Sequence, residues 1–366
     1  VAIVGIGSAF PQQQITPQDF EHYALRHYPL TPALQKTLAI NRSTGITKRS
    51  ISLPLTSPHL SSSSPKLIEA STDLFLSLGV SLGTSAARAA ISSWAGNISQ
   101  ITHLVCVTVC CSSNPGYDQY IATSLSLSSS VQRTLLHGLG CAGGVALLRH
   151  AAQLALAAHA CGKQANILCV ASECASLFYR SALERLVLLG EANPAVTLFG
   201  DGAGAVVSSP PWKPIYTIKA YSSVLLPSSA QDLAVPLTST GYTALLSRRV
   251  PALASSSLLP LLQALLTALG SPTPPEQLDW ALHPGGAAVL RAVQDTLGLG
   301  RERMRASWEV YGERGNCASA TVLAVLERMR GWGGEGGSEG KGSKRKEVLC
   351  TAFGPGVLVE MMMLHR

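Results

Sequence analysis

The chain has 366 residues, of which 46% are hydrophobic and only 13% charged, and its mean hydropathy is +0.25. This balance excludes an intrinsically disordered chain and provides enough residues for one large or two ordinary domains with a buried core. The formal net charge is +7, but Lys and Arg are dispersed rather than interleaved with aromatic residues, which argues against a nucleic-acid-binding surface. The same modest positive charge suits small anionic substrates such as phosphates or coenzyme A.

The sequence indicates neither membrane insertion nor secretion. The richest apolar stretch, 258–270, is shorter than the ~18 to 20 residues that a membrane span requires, and it contains Pro260 and Gln263. The first residues show no basic leader and no cleavage site, so we expect no export signal.

Nine cysteines are scattered through apolar runs, and no two have the CxxC spacing of a metal or redox site. Such cysteines are typical of a reducing compartment, and we expect a cytoplasmic protein whose thiols are mostly buried. The pattern predicts no metal site and leaves room for one reactive thiolate.

Strand-like and helix-like segments alternate along the chain. Apolar strands are predicted at 1–7, 101–110, 165–173, 215–224 and 278–286, the last ending in a Pro-Gly loop. Helices are predicted at 16–40, 71–94, 137–160, 255–269 and 313–330. Two more segments, 195–209 and 347–364, have the pattern of paired strands around a glycine turn. This alternation is typical of a mostly parallel sheet covered by helices on both faces.

Two features recur at the same spacing and predict an internal duplication. Cys141 and Asn316 each stand at a small-residue turn that opens a helix, and they are 175 residues apart. Thr108 and His283, each at the end of an apolar strand, are separated by the same 175 residues. The alternative is coincidence between segments rich in Ala and Gly. Duplication predicts halves at 1–209 and 210–366, the second interrupted by a flexible low-complexity segment at 331–347.

Three glycine motifs do not have the context that their usual functions require. The GxSxG pattern at 79–83 lies in a helix-like stretch, whereas a nucleophile elbow needs a strand before it. The glycines of 5–7 follow a strand, but Phe10 occupies the third glycine position of a dinucleotide-binding motif. The glycines of 200–204 are better suited to a hairpin turn than to a phosphate-binding loop.

Cys141 is the candidate nucleophile. The positive end of a helix dipole and free N–H groups stabilise a thiolate, so this position predicts a lowered thiol pKa. The glycines at 143 and 144 leave space for a thioester. The alternative is a buried structural cysteine.

His283 and Asn316 complete a candidate Cys-His-Asn set. His283 follows a buried strand, the usual location of functional groups in α/β proteins, and Asn316 stands before a helix. A thiolate–imidazolium pair can accept an acyl group, while N–H donors of His and Asn can hold an oxyanion. Taken singly, His283 would be a satisfied structural residue and Asn316 a helix cap.

The chain resembles the type III polyketide synthases, a family that includes chalcone and stilbene synthases, over nearly its whole length. The matching stretches are Gly140–Gly144, Leu198–Ala203, His283–Gly286, Gly315-Asn316 and Phe353–Gly356. The stretches at 141–144 and 114–117 are most similar to the fungal branch. The resemblance implies a thiolase fold, in which two duplicated βαβαβαββ halves form a five-layered αβαβα core, and an obligate homodimer.

The resemblance also implies roles for individual residues. Cys141 would carry the starter and the growing chain, while His283 and Asn316 would activate it and stabilise the enolate left by decarboxylation of malonyl-CoA. Phe199 would be the gate between the coenzyme A tunnel and the cavity. Lys48 and Arg49 would contact the coenzyme A phosphates; the alternative for both is a solvated surface pair. The substrates would be acyl-CoA and malonyl-CoA, with no metal, nicotinamide or carrier protein.

The predicted cavity differs from that of the plant members. The resemblance places five further residues at lining positions: Val109, Cys110, Ala175, Phe178 and Ala318. Ala318 and Ala175 should widen and dry the cavity, and Phe178 should narrow it. We therefore expect an aliphatic acyl-CoA starter and closure to a pyrone, with alkylresorcinols as the other outcome. Asn114 is expected near the dimer interface.

Two other functions fit the same residues. A ketoacyl synthase that uses an acyl carrier protein has the same fold and the same Cys-His-Asn set. A catalytically silent homologue could bind ligands or a partner synthase, although the intact set of Cys141, His283 and Asn316 argues against this.

Overall fold

The computed structural model describes residues 1–94, 96–210, 213–270, 273–332 and 345–366. The strands are β1 (Ala2–Ala9), β2 (Gln14–Ile15), β3 (Arg49–Ser50), β4 (His103–Val107), β5 (Gln132–Leu136), β6 (Ile167–Cys174), β7 (Asp201–Ser209), β8 (Tyr216–Leu225), β9 (Leu233–Ala234), β10 (Leu237–Thr238), β11 (Gly241–Tyr242), β12 (Leu245–Leu246), β13 (Asp279–Leu282), β14 (Glu347–Gly354) and β15 (Leu358–His365).

The α-helices are α1 (Pro17–His27), α2 (Pro32–Ser43), α3 (Pro58–Ser61), α4 (Ile68–Leu74), α5 (Val80–Trp94), α6 (Tyr117–Ser124), α7 (Gly143–Ala160), α8 (Tyr179–Leu189), α9 (Ala195–Leu198), α10 (Val250–Leu269), α11 (Ala287–Leu297), α12 (Arg305–Arg314) and α13 (Ala318–Met329). A π-helical turn, Phe75–Gly79, joins α4 to α5. The GxSxG pattern therefore lies within a helical segment, as expected.

Nine strands form one sheet in the order β13-β14-β15-β8-β1-β7-β6-β4-β5. The two halves meet where β1 pairs with β8, at Ala2–Thr217 and Ile3–Tyr216. Outward from this junction, the order is β1-β7-β6-β4-β5 on one side and β8-β15-β14-β13 on the other. The second half thus repeats the strand order of the first without a counterpart of β5, as an internal duplication requires.

The expectation of a mostly parallel sheet is wrong. Three of the neighbouring pairs are parallel, namely β4–β5, β4–β6 and β13–β14, whereas the other five are antiparallel. In the first half, β7 runs antiparallel to both of its neighbours, β1 and β6. In the second half, β14 and β15 are joined by a tight turn, which needs no crossover helix and makes the pair antiparallel.

Strand side chains alternate between a central and an outer core, which gives five layers. In β6, Ile167 packs in the cluster that contains α7 and α13, whereas Leu168 packs with α5. In β14, Val348 joins the same central cluster, whereas Leu349 packs with α10 and α11. The layers are therefore α5, the first half of the sheet, α7 with α13, the second half, and α10 with α11. This is the thiolase-type αβαβα arrangement that the resemblance implies.

The glycines of 200–204 lie at the start of a strand, not in a hairpin turn. A short helix, α9, precedes them, and both Gly202 and Gly204 lie within β7. A Cβ atom on Gly204 would be 2.7 Å from Leu323 Cβ, and one on Gly202 would be 3.1 Å from Cys317 Sγ. These glycines therefore allow α13 to lie directly against β7.

Two helices, rather than one, occupy the region of 16–40. Tyr28 is extended, with φ −137° and ψ 144°, and it ends α1. The residue before a proline is disfavoured in the helical region, so Pro29 separates the two helices. Thr31 then caps α2 by accepting the Leu34 N–H.

Three helical segments are long and apolar enough, by length and composition alone, to cross a bilayer: Ile68–Trp94, Gly140–Ala160 and Val250–Leu269. The sequence-based expectation of no span considered only uninterrupted apolar runs. In the fold, Gly140–Ala160 belongs to the central layer between the two halves of the sheet.

The low-complexity segment 331–347 lies mostly outside the described residues, so its predicted flexibility stays a prediction. Its last residue, Glu347, begins β14.

Candidate active site

Cys141 stands in a one-turn 3₁₀ segment, Gly140–Ala142, that leads directly into α7. Gly140 has φ +51°, and a Cβ atom there would lie 2.2 Å from Pro355 Cδ, so glycine is required at this turn. Gly144, one turn further, approaches the second central helix so closely that a Cβ atom would lie 2.3 Å from the Ser319 carbonyl oxygen. The start of α7 is thereby pressed against the start of α13.

Asn316 precedes α13 and connects two parts of the site. Its side-chain oxygen accepts the Ala318 N–H at 2.8 Å, the bond of an Asx turn, whereas the N-cap residue of α13 is Cys317. Its amide nitrogen donates to the Gly285 carbonyl at 3.3 Å, and its side chain lies near enough to the Cys141 thiol to lower the pKa of that thiol. Asn316 therefore joins the nucleophile to the loop that carries His283.

His283 follows β13 and is 1% exposed. Its backbone N–H donates to the Thr351 carbonyl at 2.8 Å, which holds the residue to β14. Neither ring nitrogen has a hydrogen-bond partner among the described residues. A buried imidazole with both nitrogens unpaired is able to exchange a proton or donate a hydrogen bond to a bound substrate.

The pKa of the Cys141 thiol is raised to about 12, mainly by burial and then by the Glu173 carboxylate, while hydrogen bonds from Asn316 and the backbone partly oppose the rise. The lowered pKa expected from the helix terminus is therefore wrong for the unliganded site, because desolvation outweighs the dipole. Burial also lowers the pKa of His283 to about 3. Both shifts favour the neutral form of each group in the site without substrate.

Glu173 is a buried carboxylate near Cys141 that was not predicted from the sequence. It lies at the end of β6 and accepts hydrogen bonds from the Thr108 and Ser319 hydroxyls and, at 3.0 Å, from the Val109 N–H. Burial raises its pKa, and these donors oppose the rise. Its position at a strand end, like that of His283, is the signal that could have identified it.

One cavity adjoins Cys141, with an empty volume of about 740 Å³ including its mouth. The six predicted gate and cavity residues all line it: Val109, Cys110, Ala175, Phe178, Phe199 and Ala318. Sequence reasoning missed further lining residues from α8, α9 and the short strands: Tyr179, Ala182, Asn193, Ala195, Val196, Leu233, Val235, Tyr242, Thr243 and Ala244. These segments have no motif of their own, and only the fold brings them to the cavity.

A surface groove continues from this cavity. Asn193, Thr243 and Ala244 line both, and Arg185 and Ser247 lie in the groove alone. The groove beside the cavity thus contains a cation, Arg185, and an anion, Glu191, together with polar and leucine side chains.

Arg49 is not at the surface, contrary to the prediction that it contacts coenzyme A. It is 1% exposed, and its Nη1 donates to the carbonyls of Val196 and Phe199 at 2.9 and 2.8 Å. Lys48 is exposed, and its backbone N–H donates to the Gly312 carbonyl at 3.4 Å. Neither residue lines the cavity or its groove.

All nine cysteines are free thiols, and seven are buried. Cys141 is partly exposed, and Cys161 is exposed. Among the nine, Cys141 is thus the thiol that meets both the cavity and an Asn side chain.

The five-layered fold and the cysteine at the cavity define an acyl-transferring condensing enzyme. Models of the chalcone and stilbene synthase family match the chain over both parts, the N-terminal domain at residues 1–211 and the C-terminal domain at 217–366. The chain belongs to this family and is a type III polyketide synthase, an acyltransferase that acts on CoA thioesters.

Its relatives include fungal enzymes. The type III polyketide synthase pspB of Penicillium soppii is 33% identical over 390 residues, which cover 100% of this chain and 96% of pspB. The acylalkylpyrone synthase csyB of Aspergillus oryzae is 34% identical over 379 residues, which cover 100% of this chain and 94% of csyB. The resemblance to the fungal branch is thereby confirmed.

Solved structures show the same fold. The fungal type III polyketide synthase ORAS superimposes with a TM-score of 0.96 at 38% identity, covering 100% of this chain and 99% of ORAS. A type III pentaketide synthase from Neurospora crassa gives 0.95 at 38% identity, with the same coverage. CsyB complexed with CoA-SH also gives 0.95, at 32% identity and the same coverage. The predicted thiolase-type fold is confirmed.

Proposed function

We propose that this synthase condenses malonyl-CoA onto an aliphatic acyl-CoA starter held on Cys141 and that it releases pyrone products. The observation that carries this proposal is the apolar cavity that Cys141 lines, whose wall also includes five alanine and three valine residues. The name of one relative, the acylalkylpyrone synthase csyB, supports the same chemistry.

Loading of the starter requires a thiolate. His283 takes the proton from Cys141, and the resulting imidazolium and thiolate compensate each other's charge where either alone would be poorly solvated. The sulfur attacks the thioester carbonyl of the starter, coenzyme A leaves as a thiolate, and the imidazolium returns the proton to it.

Decarboxylation then produces the carbon nucleophile. The bond between the malonyl carboxylate and the α-carbon breaks, CO₂ leaves, and the electron pair forms a thioester enolate. N–H groups of His283 and Asn316 are the donors for the enolate oxygen. The apolar ring of Phe199, on the cavity wall, disfavours the carboxylate relative to neutral CO₂.

Chain extension follows when the enolate carbon attacks the acyl carbonyl on Cys141 and the sulfur leaves. The extended chain, now a thioester of coenzyme A, is transferred back to Cys141 with release of coenzyme A, and repetition lengthens it until the cavity is filled. Few polar side chains surround this space, so attack of an enol oxygen on the thioester carbonyl, which gives a pyrone, needs the least assistance from the protein. An alkylresorcinol, formed by carbon–carbon closure, is the alternative product.

Phe178 limits the space for the chain. Its ring meets Tyr242 edge to face, with the ring centroids 5.5 Å apart. A Cβ atom on Gly241 would lie 2.3 Å from Phe178 Cδ1, so the glycine makes room for the ring. The Phe178 ring is therefore closely packed in the cavity wall, where it limits the length of starter and product.

The groove that contains Arg185 is where we place the coenzyme A phosphates. It continues from the cavity, and a guanidinium is a suitable partner for phosphate oxygens. Exposed Lys48 stays a predicted contact for these phosphates. Arg49 is buried, and its guanidinium group donates to the carbonyls of Val196 and Phe199 instead.

We further propose that the protein is a homodimer and that it is located in the cytoplasm. Each chain would consist of two halves, 1–209 and 210–366. A surface groove lined by Leu76, Val80 and Tyr120 includes Pro115, next to the predicted interface residue Asn114. Nine free thiols suit a reducing compartment.

A starter panel tests the proposed substrate and product. We expect medium- or long-chain fatty acyl-CoA to outcompete p-coumaroyl-CoA, with pyrones detected by mass spectrometry, because the cavity is apolar.

Two variants test the residues. The Phe178→Ala enzyme should prefer longer chains than the wild type does, and the Cys141→Ala enzyme should make no polyketide. Preference for p-coumaroyl-CoA would contradict the substrate, and polyketide from Cys141→Ala would contradict the mechanism. A silent binding protein would make no product with any starter.

A further inference from the structure

Arg49 is a buried cation that none of the catalytic steps above uses. It lies on the short strand β3, which pairs with β2 at Ile15, and its side chain is 1% exposed. One of its terminal nitrogens, Nη2, has no partner among the described residues. A guanidinium is costly to remove from water, so its burial requires specific compensation.

Two aromatic rings and two carbonyls supply that compensation. The guanidinium carbon lies 4.9 Å from the centroid of the Phe20 ring and 5.3 Å from that of Tyr179. Its Nη1 donates to the carbonyls of Val196 and Phe199 at 2.9 and 2.8 Å. The Tyr179 hydroxyl donates to the same Phe199 carbonyl at 2.6 Å. The main chain of the gate residue is thus held by two donors, one of them charged.

The same segment is joined to the residue that lies near the nucleophile. Phe199 and Asn316 form an isolated parallel bridge, in which the Asn316 N–H donates to Leu198 at 2.9 Å and the Gly200 N–H donates to Asn316 at 3.0 Å. Gly315 has φ +70°, and a Cβ atom there would lie 3.0 Å from Arg49 Cγ. The Arg49 stem therefore packs against the turn that presents Asn316.

We propose that Arg49 is a positioning residue that fixes Phe199 and Asn316 relative to each other, and that decarboxylation of malonyl-CoA depends on it. This inference rests on the proposed function, in which both residues act on the malonyl group. Cys141 itself is placed by α7, so loading of the starter should depend on Arg49 only through Asn316 and therefore less than decarboxylation does.

The test separates the two partial reactions in Arg49→Met and Arg49→Lys. Loading is measured as acyl-enzyme by intact mass with acyl-CoA alone, and decarboxylation as acetyl-CoA formed from malonyl-CoA alone. In the Arg49→Met enzyme, we expect the rate of decarboxylation to fall by about 100-fold, which is the loss typical of a misplaced catalytic group. The rate of loading should change by less than about threefold. The Arg49→Lys enzyme retains the charge but loses the planar set of donors. Its rate of decarboxylation should therefore lie between those of Arg49→Met and the wild type.

Arg180→Met is the matched control. Arg180 is also buried, lies 4.6 Å from the Tyr28 ring centroid and donates to the carbonyls of Ser62 and Ser63, but it does not contact the gate. The Arg180→Met enzyme should be less stable than the wild type, but its rate of decarboxylation should not fall more than its rate of loading. The inference is overturned if Arg49→Lys decarboxylates at the wild-type rate, or if both partial reactions fall together as they would from general damage. If the wild type itself neither loads nor condenses, the proposed function fails instead.

Discussion

In the proposed mechanism, Cys141 and His283 exchange a proton although neither is charged at rest. Burial raises the pKa of the thiol to about 12 and lowers that of the imidazole to about 3. Each charged form alone is poorly solvated, whereas the proposed proton transfer forms both charges together. The positions of the two residues could be predicted from their turns, whereas the direction of the thiol pKa could not, because burial depends on the whole fold.

The buried His283 should make folding stability depend on pH. Its pKa in the folded chain, about 3, lies below the ordinary 6.5, so between these values the unfolded chain binds a proton that the folded chain does not. The free energy of unfolding therefore decreases as the pH falls below 6.5, by up to about 1.4 kcal/mol per pH unit from this residue. His283→Gln removes this contribution.

Urea denaturation at pH 7 and pH 5 measures the effect. We expect the free energy of unfolding to fall less in His283→Gln than in the wild type. Other histidines, such as His59 and His103, have lowered pKa values in both proteins, so their contributions cancel in the comparison. Equal losses in the two proteins would show that His283 is not kept neutral by burial.

At the scale of elements, the site depends on how closely α7 and α13 meet. Cys141 and Asn316 stand at their starts, and the glycine at 144 allows the two helices to touch. The sequence predicted both helix starts from their small residues. It did not predict that β7 passes directly beneath α13, because glycines serve turns and close approaches equally well.

Gly144→Ala should destabilise the chain and impair condensation. The added methyl would lie 2.3 Å from the Ser319 carbonyl oxygen and 2.6 Å from Val322 Cγ1. Relief of this overlap should cost about 1–3 kcal/mol in the free energy of unfolding and move Asn316 away from Cys141. Urea denaturation and product formation measure the two effects.

Gly312→Ala is the control for Gly144→Ala. It lies within α12, and the nearest atom to its added methyl would be 3.8 Å away. Alanine is the better helix former, so stability should be unchanged or slightly higher. If the two variants had the same stability and activity, close contact of α7 with α13 would not be needed.

At the scale of the molecule, duplication brings together residues that are far apart in the chain. Cys141 and Asn316 are 175 residues apart, as are Thr108 and His283, and this shared spacing predicted an internal duplication with two related helices. The strand order, which repeats in the second half of the sheet, agrees with this prediction. The cavity was harder to predict, since Leu233 and Tyr242 reach it from short strands between β8 and α10 that have no recognisable pattern. The burial of Arg49 could not be predicted, because the sequence does not indicate that the rings of Phe20 and Tyr179 pack against its guanidinium group.

Intact-protein mass spectrometry after incubation with a fatty acyl-CoA shows whether Cys141 carries the acyl chain. We expect one acyl group per chain, located on Cys141 by peptide mapping, and its release as a pyrone when malonyl-CoA is added. Failure to find an adduct, or an acyl group on another of the nine cysteines that malonyl-CoA converts to product, would contradict that role.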